Sequence, residues 1–322
     1  MINRRDFLKN SSMAAIGGLL VGSTNSCAPS TSTSKKRIGL QIYSVNTELW
    51  QREGATASEA VASGLKKLAG MGYKTLELAG YGGNGKINSV SMADFKKMAD
   101  DASLEIIASH MNPPARAYTP DNKEQIMDFW KKATDEHAAI GVKYIIQPGQ
   151  PSTRTIEETI YVSEIFNGAG QIAKAGGLSF GYHNHDGEFA RVISETPPPP
   201  PAEGEGGGRR RGPAGEIIYD IMLKNTDPSL VFFELDVYWC VIGNQDPVAY
   251  MKKYADRIKV LHIKDKAVLG QSGMMNFEMI FKTYYENGLQ DYFVELEGIP
   301  GVTQFDGAQG CADYLLERSF VK

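Results

Sequence analysis

The chain has 322 residues, 42% of them hydrophobic and 10% aromatic. That is enough apolar material for one large core or two smaller ones, and it excludes general disorder. The formal net charge of −4 excludes an overall basic bias toward nucleic acid or anionic lipid.

The N-terminus stands apart from the rest. Arg4-Arg5-Asp6-Phe7-Leu8-Lys9 precedes a weakly apolar stretch from Met13 to Gly22. Twin arginines, an aromatic-leucine pair and a short apolar run resemble a bacterial twin-arginine (Tat) export signal. The run is far below the roughly 20 residues that span a bilayer as a permanent helix. Residues 1–27 therefore read as an export signal, with a periplasmic mature protein. Cys27 is placed as a lipoprotein cysteine would be, so a lipid anchor is carried beside simple export, although Thr24 stands where such sites usually have Leu. Residues 28–36 read as a linker. Cys240 and Cys311 lie among apolar neighbours and read as core residues rather than a disulfide framework.

Beyond the linker, strand-like runs recur: Arg37–Tyr43, Lys74–Ala79, Glu105–His110, Val142–Gln147, Leu178–Asn184, Leu230–Asp236, Ile258–Lys264 and Asp291–Glu297. Stretches of helical period separate them. One runs from Ala57 to Gly72 and is closed by glycine. Another opens at Thr119-Pro120-Asp121, with Pro in its first turn, and ends at Ile140-Gly141. His137 sits in this second stretch and reads as a surface residue. Further helices begin at Asp246-Pro247-Val248 and Asn276-Phe277-Glu278.

Strand starts follow one another by about 28 to 37 residues, the length of a βα unit, and eight such units make a (β/α)8 TIM barrel. The rival Rossmann fold should carry a G-x-G-x-x-G turn after its first strand. The first turn here is Tyr43-Ser44-Val45-Asn46, without glycine. Residues 37–322 therefore read as one α/β barrel domain. The single long interval holds a run of prolines, then glycines, then Arg209-Arg210-Arg211. Such composition cannot pack a core, so about 195–215 reads as a disordered, solvated insertion near the barrel mouth.

In a barrel, side chains at strand C-termini converge on one mouth. Asp236 ends the apolar run Val231-Phe232-Phe233-Glu234-Leu235. His262 follows Val260-Leu261, and Glu295 follows Tyr292-Phe293-Val294. Residues two apart share a strand face, so His183 with His185, His262 with Lys264, and Glu295 with Glu297 can point inward as pairs. A His/Asp/His/Glu set without thiolates suits Mn²⁺, Co²⁺, Zn²⁺ or Mg²⁺. Any one of these residues alone would more often be a satisfied core polar group; four at corresponding strand ends point to a metal. Gln41, Tyr43, Glu77, His110 and Gln147 end the first four strands and read as substrate-binding, as does Trp239, which follows Asp236 closely.

Ile38-Gly39-Leu40-Gln41-Ile42-Tyr43-Ser44, the segment from Gly181 to Phe189 containing His183-Asn184-His185, Glu234-Leu235-Asp236-Val237-Tyr238-Trp239, and His262-Ile263-Lys264-Asp265 resemble the sugar phosphate isomerase/epimerase family, whose barrel is xylose isomerase-like. The resemblance covers about residues 37 to 320, and inosose dehydratases belong to the same superfamily. It implies a metal held by Glu, Asp, His and Glu from strands five to eight. Asp236, His262 and Glu295 match the last three. At the first position this chain has His183, with His185 and Glu188 nearby as alternatives. The implied chemistry is proton abstraction next to a carbonyl, with metal polarisation of that carbonyl. Glu188 or Glu297 would be the acid/base, beside His185, and Lys264 would stand near the substrate oxygens.

Export favours a free or oxidised sugar over a sugar phosphate, which points to epimerisation, isomerisation or β-elimination, for example from a 3-keto-glycoside. Endonuclease IV-type repair enzymes share the barrel but need a three-metal cluster with many His ligands, and this chain has five His. The rival of another class is a non-catalytic periplasmic sugar-binding lipoprotein, which would need no metal set.

Overall fold

The computed structural model describes residues 36–51, 53–195 and 215–322. The stretch expected as an export signal, Cys27 with the lipid anchor expected there, and nearly all of the expected insertion lie outside the described residues.

Eight parallel strands close into a barrel: β1 Ile38–Gln41, β2 Tyr73–Leu78, β3 Glu105–His110, β4 Tyr144–Gln147, β5 Ser179–His183, β6 Val231–Asp236, β7 Ile258–Lys264 and β8 Asp291–Glu295. Each pairs with its neighbours in sequence, and β8 returns to β1 through Gly39 opposite Phe293. All eight expected strands are present, most trimmed by one or two residues. β1 stops at Gln41 because Ile42–Val45 tighten into a 3-10 turn, where the Gln41 side chain accepts from the Tyr43 N–H at 2.5 Å. β8 stops at Glu295, leaving Glu297 beyond the ladder.

Local chemistry accounts for the helices. Thr56 and Glu59 form a reciprocal capping box at the start of Ala57–Gly70. Asp246 caps Pro247–Lys253, and Asn276 caps Phe277–Glu286. The stretch expected from Thr119 begins as a 3-10 turn at Pro120–Asn122 and continues as helix over Lys123–Ala138.

His137, expected at the surface, is fully buried. Its helix turns that face onto the barrel, where Nδ1 lies 2.7 Å from the Ala133 carbonyl and Nε2 lies 3.0 Å from the Ser109 hydroxyl. Burial pushes its pKa down to about 4. A neutral ring that donates through Nδ1 and accepts through Nε2 satisfies both partners. Cys240 and Cys311 are buried free thiols, as expected.

Inside the barrel, alternate residues form layers. Ala108, Tyr144, Ile146, Phe232, Val260 and Phe293 make an apolar plug. The next inward residues on β3, β6, β7 and β8 are His110, Glu234, His262 and Glu295, all buried. Gly181 on β5 is part of this fit, because a Cβ there would lie within 2.4 Å of the Phe232 ring. The polar layer therefore rests on a close-packed floor. Near its mouth, the two-stranded ribbon Arg191–Val192 with Glu216–Ile217 brackets the insertion on the β5–β6 connection.

Candidate functional site

Register brings the polar strand ends together. Asp236 is level with His262, and Lys264 with Glu295. One donor atom from each of His183, Asp236, His262 and Glu295 lies within 4.8 Å of every other. These are the four residues expected to hold a metal. Ligands at ~2.0–2.2 Å around one ion are separated by distances of this order.

Each ligand is aimed by its surroundings. Asp236 ends β6 and caps the helix Val237–Ile242, its Oδ1 accepting from the Trp239 N–H at 2.8 Å. Its backbone N–H donates to Asn184 Oδ1 at 3.1 Å, which ties β6 to the end of β5. The other oxygen, Oδ2, is buried without a hydrogen-bond partner among the described residues, 4.0 Å from His262 Nδ1. A desolvated carboxylate oxygen without a donor is costly unless a cation or proton serves it. His262 Nδ1 also lies 3.2 Å from Glu295 Oε2. An unpartnered oxygen, an imidazole nitrogen and a second carboxylate facing one another are the donor set a divalent ion takes, so the residues fit the metal.

A second tier lies beneath. His262 Nε2 is 2.6 Å from Glu77 Oε2, so Glu77 backs the ring nitrogen opposite the metal side. Glu234 Oε2 lies 2.7 Å from His110 Nε2 and 3.2 Å from His183 Nδ1. Gln41 Nε2 contacts His110 Nδ1 at 3.2 Å. A carboxylate behind a ligating imidazole fixes its tautomer and orientation. His110, His183, Glu234 and His262 also form a four-donor group. In it Glu234 Oε2 serves the His110 and His183 imidazoles while Oε1, like Asp236 Oδ2, has no hydrogen-bond partner among the described residues; the upper group adds Glu295, which lines the cavity above.

The electrostatics describe a site short of positive charge. Burial raises Asp236 to about 7, and Glu295 nearby adds to this. Burial and the Glu234 charge likewise raise Glu77 to about 7, while the neighbouring imidazoles hold Glu234 down. Burial alone would lower His262, but Glu234 and Glu77 hold it well above its ordinary value. Burial, with His262 alongside, keeps His183 well below its own. The proton held among these groups occupies the electrostatic role of a cation, and a bound divalent ion would displace it. Lys264 is raised by Glu295, Asp236 and Glu297 against the effect of its burial. It stays charged, 3.0 Å from Glu295 Oε2 and 2.7 Å from Glu297 Oε1.

Above the cluster opens a cavity of about 480 Å³, lined among others by Gln41, Tyr43, His110, His183, His185, Glu295 and Glu297. The barrel thus brings together both carboxylates of β8 and its extension, the histidine that ends β5 and the one beyond it, and three of the expected substrate residues. Tyr43 is 51% exposed, an aromatic face on the rim. Trp239 packs on His185 with ring centres 5.6 Å apart and lies under the Lys264 ammonium at 5.1 Å.

Glu77, expected to bind substrate, does not line this cavity and is instead fully buried beneath the cluster against His262. Two further expected residues stand elsewhere. Gln147 accepts from the Tyr118 hydroxyl at 2.8 Å and lines a neighbouring cavity. Glu188, expected as an acid/base, does not line the 480 Å³ cavity. Its carboxyl accepts from the Tyr182 hydroxyl at 2.5 Å and from the His185 N–H at 3.1 Å. Tyr182 faces outward on β5, between inward Gly181 and His183, and Glu188 follows it to that side. Glu188 therefore anchors the turn that carries His185. Sequence reasoning missed Glu234, which looked like part of an apolar run. The signal was present, since Glu234 stands two residues before Asp236 and shares its face.

A family model of the xylose isomerase-like TIM barrel matches residues 65–310. A sugar phosphate isomerase/epimerase structure from Parabacteroides distasonis is 51% identical, covers 89% of this chain and all of that one, and superposes with a TM-score of 0.80. The fold is also that of the 3-keto-D-glucoside 4-epimerase from E. coli, at 16% identity, with a TM-score of 0.61 over 87% of this chain and 98% of that one. Among curated proteins, the inosose dehydratase of Clostridium beijerinckii is 24% identical over 188 residues, which is 51% of this chain and 55% of that protein. The chain thus spans about half the length of that curated relative.

Proposed function

The chain belongs to the xylose isomerase-like TIM-barrel family, and from that premise we propose a divalent-metal-dependent isomerase/epimerase that removes a proton next to the carbonyl of a free or oxidised sugar. The observation that carries this reading is the convergence of His183, Asp236, His262 and Glu295 beneath a cavity with a neutral base at its wall. Epimerase and dehydratase relatives support it.

His183, Asp236, His262 and Glu295 would hold the ion, which when bound would polarise the sugar carbonyl and offset the charge that develops as the proton leaves. His185 lines the cavity, and burial lowers its pKa, so it is neutral near pH 7 and able to accept a proton. Glu297 lines the same cavity and is paired with Lys264. These two are the acid/base pair of the proposal. Glu188, whose backbone contact positions His185, acts only through it. Lys264, charged and buried, fixes the two β8-side carboxylates and adds positive potential near the substrate oxygens.

The base takes the proton from carbon, and its bonding electrons pass into an enediolate. Return of a proton to the opposite face of that carbon gives an epimer. Delivery to the former carbonyl carbon, with the neighbouring hydroxyl's proton passed to the former carbonyl oxygen, gives an isomer. Expulsion of a β-oxygen with its electron pair, and a proton to that oxygen, gives elimination. The twin-arginine signal and periplasmic location belong to this proposal and favour a non-phosphorylated substrate; cell fractionation of the full-length protein checks them.

The deciding experiment is an NMR screen in D₂O of Mn²⁺- or Co²⁺-loaded protein against free ketoses, aldoses and 3-keto-glycosides. Deuterium should appear at a carbon next to a carbonyl. Conversion of a sugar phosphate, with free and oxidised sugars untouched, would overturn the substrate class. Absence of bound metal after Mn²⁺ loading would overturn the mechanism.

A further inference from the structure

The metal-side cavity does not end at the sugar-sized space above the cluster. A second cavity of about 900 Å³ adjoins it, built from the loops that follow β3 and β4. The two share Asn112 and Gly149 as lining residues. At the threshold between them the Gly149 N–H donates to Asn112 Oδ1 at 2.9 Å. Gly149 suits that threshold because a Cβ there would lie 2.4 Å from the same oxygen. Larger side chains would push Asn112 into the passage.

The two cavities differ in chemistry. Around the cluster the walls carry imidazole, carboxylate and amide groups, with Tyr43, Tyr81 and Met111 beside them. Beyond the threshold they are chiefly Pro113, Pro114, Ala115, Ala117, Tyr118 and Pro151, with Arg116, Gln147, Gln150 and Ser152 between them. The walls are also preformed. Ser152 N–H donates to the Arg116 carbonyl at 2.7 Å, joining the two loops. Tyr118 donates to Gln147, and Gln147 Nε2 donates to the Gly149 carbonyl at 2.9 Å. Proline-rich walls lose little conformational freedom on binding, which favours affinity for a rigid apolar group. Ordinary ligand sites occupy ~300–1,000 Å³. A monosaccharide placed over the cluster would leave the second cavity empty.

We propose that the second cavity is an aglycone subsite, and that the substrate is a glycoside whose sugar ring lies over the metal cluster while a flat, apolar aglycone lies between the Pro113–Tyr118 and Gly149–Ser152 loops. This rests on the sugar-active reading above and narrows its substrate class.

Binding separates the two. Phenyl and methyl β-D-glucopyranoside contain no carbonyl and report recognition without turnover. Calorimetry on the Mn²⁺-loaded protein should give phenyl glucoside at least about tenfold tighter binding than the methyl compound, the scale of discrimination that apolar contacts provide. Ala117→Trp and Ser152→Trp, made on opposite loops, should each bring the ratio toward one, and thermal melts confirm that both variants fold. The subsite is overturned by equal binding of the two glucosides to wild type, by a ratio unmoved in both variants, or by no measurable binding of either. Cellobiose binding as tightly as phenyl glucoside would overturn the apolar assignment. A phenyl preference with no proton exchange on any keto-sugar supports the subsite and overturns the proposed reaction. Exchange without a phenyl preference does the reverse.

Discussion

Asp236 and His262 carry the sharpest consequences of the geometry because each faces two ways. Asp236 holds a helix N-terminus with Oδ1 and leaves Oδ2 unpartnered. Asp236→Ala and His262→Ala should each abolish stoichiometric metal in elemental analysis, and full occupancy in either variant would sink the site assignment. The carboxylate behind His262 yields a graded prediction. Glu77→Gln keeps an oxygen or nitrogen near Nε2 but removes the charge that orients the ring. Such changes behind a ligand typically cost ~10–100-fold in metal affinity. Competition against a chelating indicator measures this, and an unchanged affinity would mean Glu77 only fills space. Glu188 belongs to the other side of β5, and its substitution by Gln should leave metal content intact, in contrast to the two ligand variants.

At the scale of elements, the strand periodicity carried most of the site. The inward residues Asp236, His262 and Glu295 near the ends of β6, β7 and β8 were legible because each follows an apolar run, and the barrel forces those ends to meet. The turn after β5 was harder to read. His183, His185 and Glu188 all lie within six residues, and sequence spacing does not show that the chain leaves the ladder after His183. Once it does, Glu188 swings behind the strand to Tyr182. Glu234 was hidden by the phenylalanines around it, and His137 by a helical period whose buried face the sequence did not identify.

The β5 turn also has a pH signature. Burial raises Glu188 to about 7, above the unfolded value near 4.3. The folded state therefore holds a proton that the unfolded state has lost between those values. Stability from this group is fully present below about pH 4 and falls as pH rises toward 7. The shift corresponds to about 4 kcal/mol at most. Glu188→Gln retains an acceptor for the His185 N–H and a donor for the Tyr182 oxygen without titrating. Its melting temperature relative to wild type should rise between pH 5 and 8, whereas a constant difference would show that the carboxyl does not titrate there.

For the whole molecule, the barrel interior confines Glu77, Glu234, Asp236 and Glu295 above a close-packed apolar floor, with Lys264 and shared protons to balance them. Mutually repelling buried carboxylates are destabilising unless paired, so a divalent ion at the cluster should stabilise the entire fold and not only the active site. A ligand that binds only the folded state at ~1,000 times its Kd contributes about 4 kcal/mol. In a barrel of this size that corresponds to a melting-temperature rise on the order of ten degrees. Scanning calorimetry of the Mn²⁺-loaded protein with and without excess EDTA should show a loss of that order. Asp236→Ala, already without metal, should melt at the same temperature with and without the chelator. Competition between ion and protons adds a direction in pH: the metal-dependent gain should shrink below about pH 7, as Asp236 and Glu77 take up protons and His262 stays charged. A melting temperature insensitive to both chelator and added Mn²⁺ at pH 8 would mean that the cluster balances its own charge and that the barrel is not a metalloprotein.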